Sequence, residues 1–394
     1  MIHWIWLADK IGYGSLKAKA LIDVLGSARE VYVSDENKLS SLGFLNKNEI
    51  ARLTQKSLVK AKNIMDQCNI NNIGIVTFDD KRFPKRLKEI PNPPMCLYYK
   101  GEFLDFDNIP CVCLVGQRKA TEYGKLAAWS LSARLTLGGI TVVSGGAKGT
   151  DAAAHNGALE VGGKTVAFLA CGINYSYLKE NEKLRERISE NGCLISEFAP
   201  CEKVYKNNFR IRNRLMSGIT LGTVVVEAPE ISGALITAKH AYEQSRDVFV
   251  ITSKPNDPNY AGNNALLKDG AKPVFDADDI FNEYYSQFSN IINKEKAKRV
   301  NLSTLYHKTT LTTAKPVSKT EKAEENLKIN KKNITEGLSK NAKIVYNYLN
   351  MEIFTIDDLM GCELSFDDIL VSLTELELFG YIKAIPGGRY SIIN

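Results

Sequence analysis

The chain has 394 residues, a formal net charge of +6, 44% hydrophobic and 24% charged residues. At about 150 residues per domain this length predicts two or three domains, and the apolar fraction excludes wholesale disorder. No uninterrupted apolar run reaches the ~18 residues of a membrane span, so no membrane insertion is expected. The opening residues Met1 to Trp6 lack the basic flank and cleavage site of a secretion signal. The eight cysteines include no Cys-x-x-Cys pair and the four histidines are dispersed. A metal site is therefore not expected, and the chain reads as cytoplasmic with reduced thiols.

The net charge has a location. Residues 294–343 hold 13 Lys/Arg against 5 Asp/Glu, which leaves 38 basic against 40 acidic residues elsewhere. No domain is basic throughout, so anion binding must come from a local patch.

In chain order, residues 1–71 read as a small helical domain, with apolar residues at helical spacing in Leu16, Ala20, Leu21, Val24 and Leu25. The break Gly12-Tyr13-Gly14, followed by Lys17 and Lys19, resembles a helix-hairpin-helix turn offering N–H groups to a phosphate. The plainer reading is a tight turn needing positive φ. Residues 72–285 alternate strand-length apolar runs (109–115, 140–143, 165–170, 193–195, 223–226, 248–251) with helical stretches (122–137, 151–160, 178–190, 212–219, 233–244, 264–268). β-branched runs without polar alternation suit strands covered on both faces. The repetition predicts an α/β fold with a Rossmann-like, doubly wound parallel sheet. Residues 286–340, rich in Lys, Asn, Thr and Ser, read as a basic flexible linker. Residues 341–394 read as three helices and a hairpin, the winged-helix pattern.

Four segments carry binding chemistry. Val142 to Asp151 contains Ser144-Gly145-Gly146-Ala147-Lys148-Gly149, a strand end, a glycine turn and a helix start. Such a turn brings backbone N–H groups and the positive helix end to an anion. It is neither the dinucleotide fingerprint nor the Walker A pattern, so no cofactor is expected. Gly116-Gln117-Arg118-Lys119 follows the first strand of the parallel set and places two cations where such sheets open a ligand crevice. Lys206 to Arg214 sets Lys206, Arg210, Arg212 and Arg214 around Phe209, charge for a backbone and a ring for base stacking. Ser232-Gly233 opens a further helix beside Glu227, which is read as a ribose ligand or as a helix cap. Asp151 and His155 share a helical face. A cap and a packed histidine are preferred there to a catalytic pair.

These segments, in this order, resemble the bacterial DNA-processing protein A family (DprA, or Smf). The resemblance runs from about residue 78 to 275. It includes Phe83-Pro84-Lys85-Arg86-Leu87, Ser196-Glu197, Arg212-Asn213-Arg214, Thr237-Ala238 and Gly262-Asn263. It implies an extended Rossmann fold that binds single-stranded DNA, loads the RecA recombinase in natural transformation, and forms homodimers through the Rossmann domain. Carried over residue by residue, the implied DNA contacts are Gly116, Arg118, Gly145, Gly146, Lys148, Gly149, Lys206 and Phe209. The cluster and helix-start residues Arg212, Arg214, Ser232 and Gly233 complete the expected DNA-binding set. Gln117 stands where the family has Ser, adding bulk beside Arg118, and Thr252-Ser253-Lys254-Pro255 replaces the family's Pro-Gly.

Two other classes compete. The enzyme reading is a nucleotide phosphoribohydrolase of the lysine-decarboxylase-like Rossmann family, which needs a glutamate soon after its Gly-Gly-x-Gly-Thr turn. Here no acid follows Thr237 until Glu243, so a non-catalytic binder is expected. The transcription-factor reading fails on charge. Residues 341–394 carry 3 basic against 8 acidic residues, which a major groove lined by phosphates repels. This segment is expected to make protein contacts instead.

Overall fold

The computed structural model describes residues 1–299, 302, 338–349, 353–359, 362, 364, 366–385 and 389–393. Residues 300–301 and 303–337 of the expected linker, and the expected Pro386-Gly387-Gly388 turn, lie outside the described residues. The chain divides into two units, Met1–Thr313 and Ala314–Asn394.

Among the described residues, nine strands organise the first unit: β1 (Gly74–Thr77), β2 (Cys96–Gly101), β3 (Cys111–Val115), β4 (Thr141–Ser144), β5 (Thr165–Phe168), β6 (Gly192–Ser196), β7 (Gly222–Val225), β8 (Asp247–Ile251) and β9 (Lys272–Val274). They form one sheet in the order β1-β2-β6-β5-β4-β3-β7-β8-β9. From β6 to β9 every pairing is parallel. Strands such as β3 and β7 are buried at every position, which is why their sequences show apolar runs rather than alternation. Strands β1 and β2 add an antiparallel edge beside β6, absent from the expected parallel set.

Chain order runs outward from β3 to β6 on one side and from β7 to β9 on the other. The β3–β7 boundary is therefore the topological switch, where doubly wound sheets open a crevice at their strand C-termini. Apolar cores cover both faces. Ile195, Leu215, Ile219 and Val250 lie in one, and Leu114, Leu131, Val142 and Phe281 in the other. The N-terminal helices share a third core with the sheet, in which Trp6, Leu21 and Leu53 pack in a continuous cluster with Ala167, Leu169 and Leu194.

Residues 286–299, expected to begin a linker, are part of this unit. Phe288, Ile292 and Ala297 are buried in the second core, and Arg134 donates to the Ala297 carbonyl at 3.1 Å. Three apolar residues at suitable spacing outweigh the polar composition around them.

In the second unit, helices Lys340–Tyr348 and Phe366–Leu378 pack on an antiparallel sheet of order β10-β12-β11 (Ile353–Thr355, Arg389–Ile392 and Ile382–Ile385). Val345, Phe354, Leu373 and Ile382 centre its core. The helix expected over 356–360 is one 3-10 turn, Asp357–Leu359, and a short strand precedes it. Among the described residues no helix is long and apolar enough to cross a membrane.

Candidate nucleic-acid interface

At the switch point lies a crevice of about 420 Å3, lined among others by Gly116, Arg118, Phe209, Arg212, Ser232 and Gly233. It is built by the loop after β3, the turn after β4 running into helix Thr150–Glu160, the helix Lys206–Ile219, and the loop that leads into helix Gly233–Glu243 with that helix's start. Its floor is partly apolar, with Val115, Ala147 and Met216.

The loop after β3 is tied down by Glu227, which is fully buried. The Thr121 N–H and hydroxyl donate to its carboxylate at 3.0 and 2.6 Å, and the Gln117 amide donates to the same group. The Gln117 N–H donates to the Glu227 carbonyl at 2.9 Å. Thr121 in turn caps helix Glu122–Leu137 by accepting from the Gly124 N–H at 3.0 Å. Glu227 is thus a loop anchor, and the bulk of Gln117 is turned onto it. Arg118 is left exposed. Its guanidinium carbon lies 4.4 Å from the centre of the Phe209 ring, within cation–π range.

The glycine turn after β4 is packed tightly. Gly149 has φ +74, and a Cβ there would lie 2.5 Å from the Arg118 carbonyl oxygen. The two loops therefore touch through backbone, and only glycine permits it. Gly145 and Gly146 are buried, and Gly145 passes its carbonyl to Arg212 Nη1 at 2.7 Å. Asp151 accepts from the Ala147 N–H at 3.3 Å. Burial pushes its carboxyl up, against the opposing charge of Arg212. Lys148 is exposed and points to Glu180, at 2.8 Å.

Helix Lys206–Ile219 begins six residues before the expected 212, so Lys206 and Phe209 stand on its first turn rather than on a loop. Lys206 is exposed and Phe209 half-buried. Arg118, Lys148 and Lys206 are the exposed cations among the DNA contacts carried over from the resemblance. Of the three, only Arg118 lines the crevice. Arg212 and Arg214, expected as DNA contacts, are only 4% and 2% exposed. Arg212 donates to the Gly145 and Phe168 carbonyls, and Arg214 pairs with buried Glu197 at 2.6 Å. Arg214 neutralises Glu197 inside the protein, and Arg212 ties the phosphate-type loop to the helix bearing Phe209. Ser232 accepts from the Ala234 N–H at 3.2 Å and caps its helix.

The Gly12-Tyr13-Gly14 turn faces inward. Gly14 has φ +70, its N–H donates to Glu197 at 3.2 Å, and its carbonyl accepts from Asn92 at 3.0 Å. The N–H that a phosphate would need is already bonded. His155 is fully buried, with Nδ1 2.8 Å from the Thr165 hydroxyl. Burial lowers its pKa to about 3, so it is neutral and cannot cycle a proton near neutrality.

Sequence reasoning missed the roles of Glu197 and Glu180, and left Glu227 between two readings. Glu227 bonds residues 106 and 110 positions away, and no local pattern signals that. In helix Gly233–Glu243 the first acid is its last residue, Glu243, which is paired with His240 at 3.3 Å.

A doubly wound sheet with a crevice at its switch point, where an arginine lies over an aromatic ring, defines a protein of the Rossmann-like class. The chain belongs to the DNA recombination-mediator protein A family, whose sequence profile matches residues 74–285. It is 32% identical over 267 residues to the DNA processing protein DprA of Bacillus subtilis, covering 68% of this chain and 87% of that one. The crystal structure of DprA from Streptococcus pneumoniae superimposes with a TM-score of 0.63 at 29% identity, covering 72% of this chain and 98% of that one. A structure of DNA processing protein A from Helicobacter pylori, concerned with its single-stranded DNA binding mode, gives a TM-score of 0.50 at 27% identity, over 55% and 96% of the two chains. The matched family is described as DNA recombination-mediator protein A, a different family from the phosphoribohydrolases of the competing reading.

Proposed function

We propose that this protein binds single-stranded DNA in the switch-point crevice and thereby protects incoming DNA and loads RecA in natural transformation. The observation that carries the reading is Arg118 lying over Phe209: a phosphate ligand and a base-stacking ring in one place. Of the remaining assignments of the DNA-binding set, Gly116, Ser232 and Gly233 line the same crevice, and Gly149 touches the Arg118 loop. Gly145 and Gly146 are buried in the glycine turn, and Lys148 and Lys206 are exposed charges outside the crevice lining. Arg212 and Arg214 act from beneath as scaffold.

In the same reading residues 1–71 form the helical domain and the Rossmann domain, from residue 72, mediates homodimerisation. Residues 341–394 are a winged-helix domain used for protein contacts, and the protein works in the cytoplasm. A gel-shift comparison tests the main claim. The expected result is binding of single strands over duplex, with no nucleotide hydrolysis by the same preparation. Equal affinity for duplex, or release of free base from AMP that disappears in Arg118→Ala, overturns it.

A further inference from the structure

Beyond Phe209 the aromatic surface continues. The ring of Tyr177 lies 6.0 Å from that of Phe209, tilted by 58°. Tyr177 also lines a separate cleft of about 210 Å3 between the loop that follows β5 and helix Glu182–Glu190. Tyr175 shares that cleft, as do Lys100, Lys179 and Arg185, and the acids Glu182 and Glu186 complete its charged wall.

This loop is held in place. The Tyr177 carbonyl accepts from Arg185 Nη2, and the next residue, Leu178, is in the left-handed region at φ +55. A leucine there is strained, and such strain persists only where neighbouring bonds enforce it. The Asn181 N–H donates to the Leu178 carbonyl at 2.9 Å and the Asn174 N–H to the Pro200 carbonyl at 2.9 Å. The loop is also clasped to the glycine turn of the crevice. Asn181 donates to the Gly146 carbonyl at 3.1 Å, and Glu180 holds Lys148 at 2.8 Å. Two half-exposed tyrosines are thus presented in a fixed position beside the first site.

We propose that a single strand leaving the crevice continues across Tyr177 into this cleft, which is a second subsite for the same strand. The inference rests on the crevice binding single-stranded DNA. A polymer longer than the crevice must leave it somewhere, and the Phe209–Tyr177 pair is a continuous aromatic path. The cleft's charge is mixed, three cations facing two carboxylates. It therefore takes bases and sugars more than phosphates, and its affinity comes from stacking rather than from counterion release.

The test compares oligothymidylates of about 4 and about 12 nucleotides on the full chain, with wild type, Tyr177→Ala, Tyr177→Phe and Tyr175→Ala. The short strand fills the crevice alone, so its affinity reports that the first site is intact. The expected result is that Tyr177→Ala binds the short strand as wild type does and loses about 5- to 100-fold on the long one. Tyr177→Phe restores the long-strand affinity, Tyr175→Ala shows a smaller loss in the same direction, and the salt slope is unchanged throughout. If Tyr177→Ala keeps the full gain with length, or if it weakens short and long strands equally, the second subsite is overturned while the crevice stands. If wild type binds neither strand, the crevice reading itself has failed.

Discussion

The guanidinium of Arg118 rests on the ring of Phe209 at 4.4 Å, although the two residues belong to different elements of the crevice wall. In the proposed function each supplies a different kind of affinity, so salt separates them. Phe209→Ala is expected to cost about 1–3 kcal/mol of single-strand affinity with little change in salt dependence. Arg118→Ala is expected to weaken binding and flatten the log–log salt slope by about 0.7, the share of one phosphate. Because the two side chains touch, the double variant should be weakened by less than the sum of the single effects. Salt titrations of the three variants check this. A wild-type affinity in Phe209→Ala, or an unchanged slope in Arg118→Ala, removes the corresponding role.

Lys148 is held by Glu180 on the surface, and the pairing keeps the Glu180 carboxyl below its usual pKa, chiefly through the hydrogen bond from Lys148. If Lys148 contacts the strand as proposed, a phosphate competes with that carboxylate. Glu180→Gln therefore should tighten single-strand binding severalfold at low salt and steepen the slope by about 0.7. Unchanged affinity and slope would show that Lys148 does not reach the strand.

Gly149 is expected to tolerate no side chain. Gly149→Ala places a Cβ against the Arg118 and Gln117 carbonyl oxygens in a left-handed backbone. A loss of about 1–3 kcal/mol in folding stability is expected. Single-strand affinity should fall as well, because the clash displaces Arg118. Denaturant melts and binding on the same sample measure both. Wild-type values for both would mean the loops separate freely.

His155 links stability to acid. Its folded pKa, about 3 through burial, lies below the ~6.5 of an unfolded histidine. Between these values the unfolded chain binds the extra proton, so stability falls as pH falls, by at most about 1.4 kcal/mol per unit from this group. The buried carboxyls Asp151 and Glu197 are shifted upward by burial and act in the opposite sense. The informative quantity is therefore the difference between wild type and His155→Gln. The variant should lose stability less steeply from pH 6 to pH 4. Parallel profiles would place His155 in contact with water.

The α/β alternation, the glycine turn and the candidacy of Arg118 and Phe209 were legible because they are local. A strand buried on both faces must be written as an apolar run, as in Cys111–Val115, and a turn that brings its backbone against a second loop must carry glycine, as at Gly149. What each charged residue does is not local. Arg212 and Arg214 sit two positions apart in a basic cluster, and both are buried among partners that the chain brings from 17 to 67 residues away. Arg210, two positions before Arg212, stays exposed. A helix surface turns about 100° per residue, so near neighbours face different surroundings, and only the packing decides which charge meets water. The same holds for Glu227 and Glu197. Their role as anchors, for the Arg118 loop and for the Gly14 turn, exists only once the sheet has placed both partners side by side.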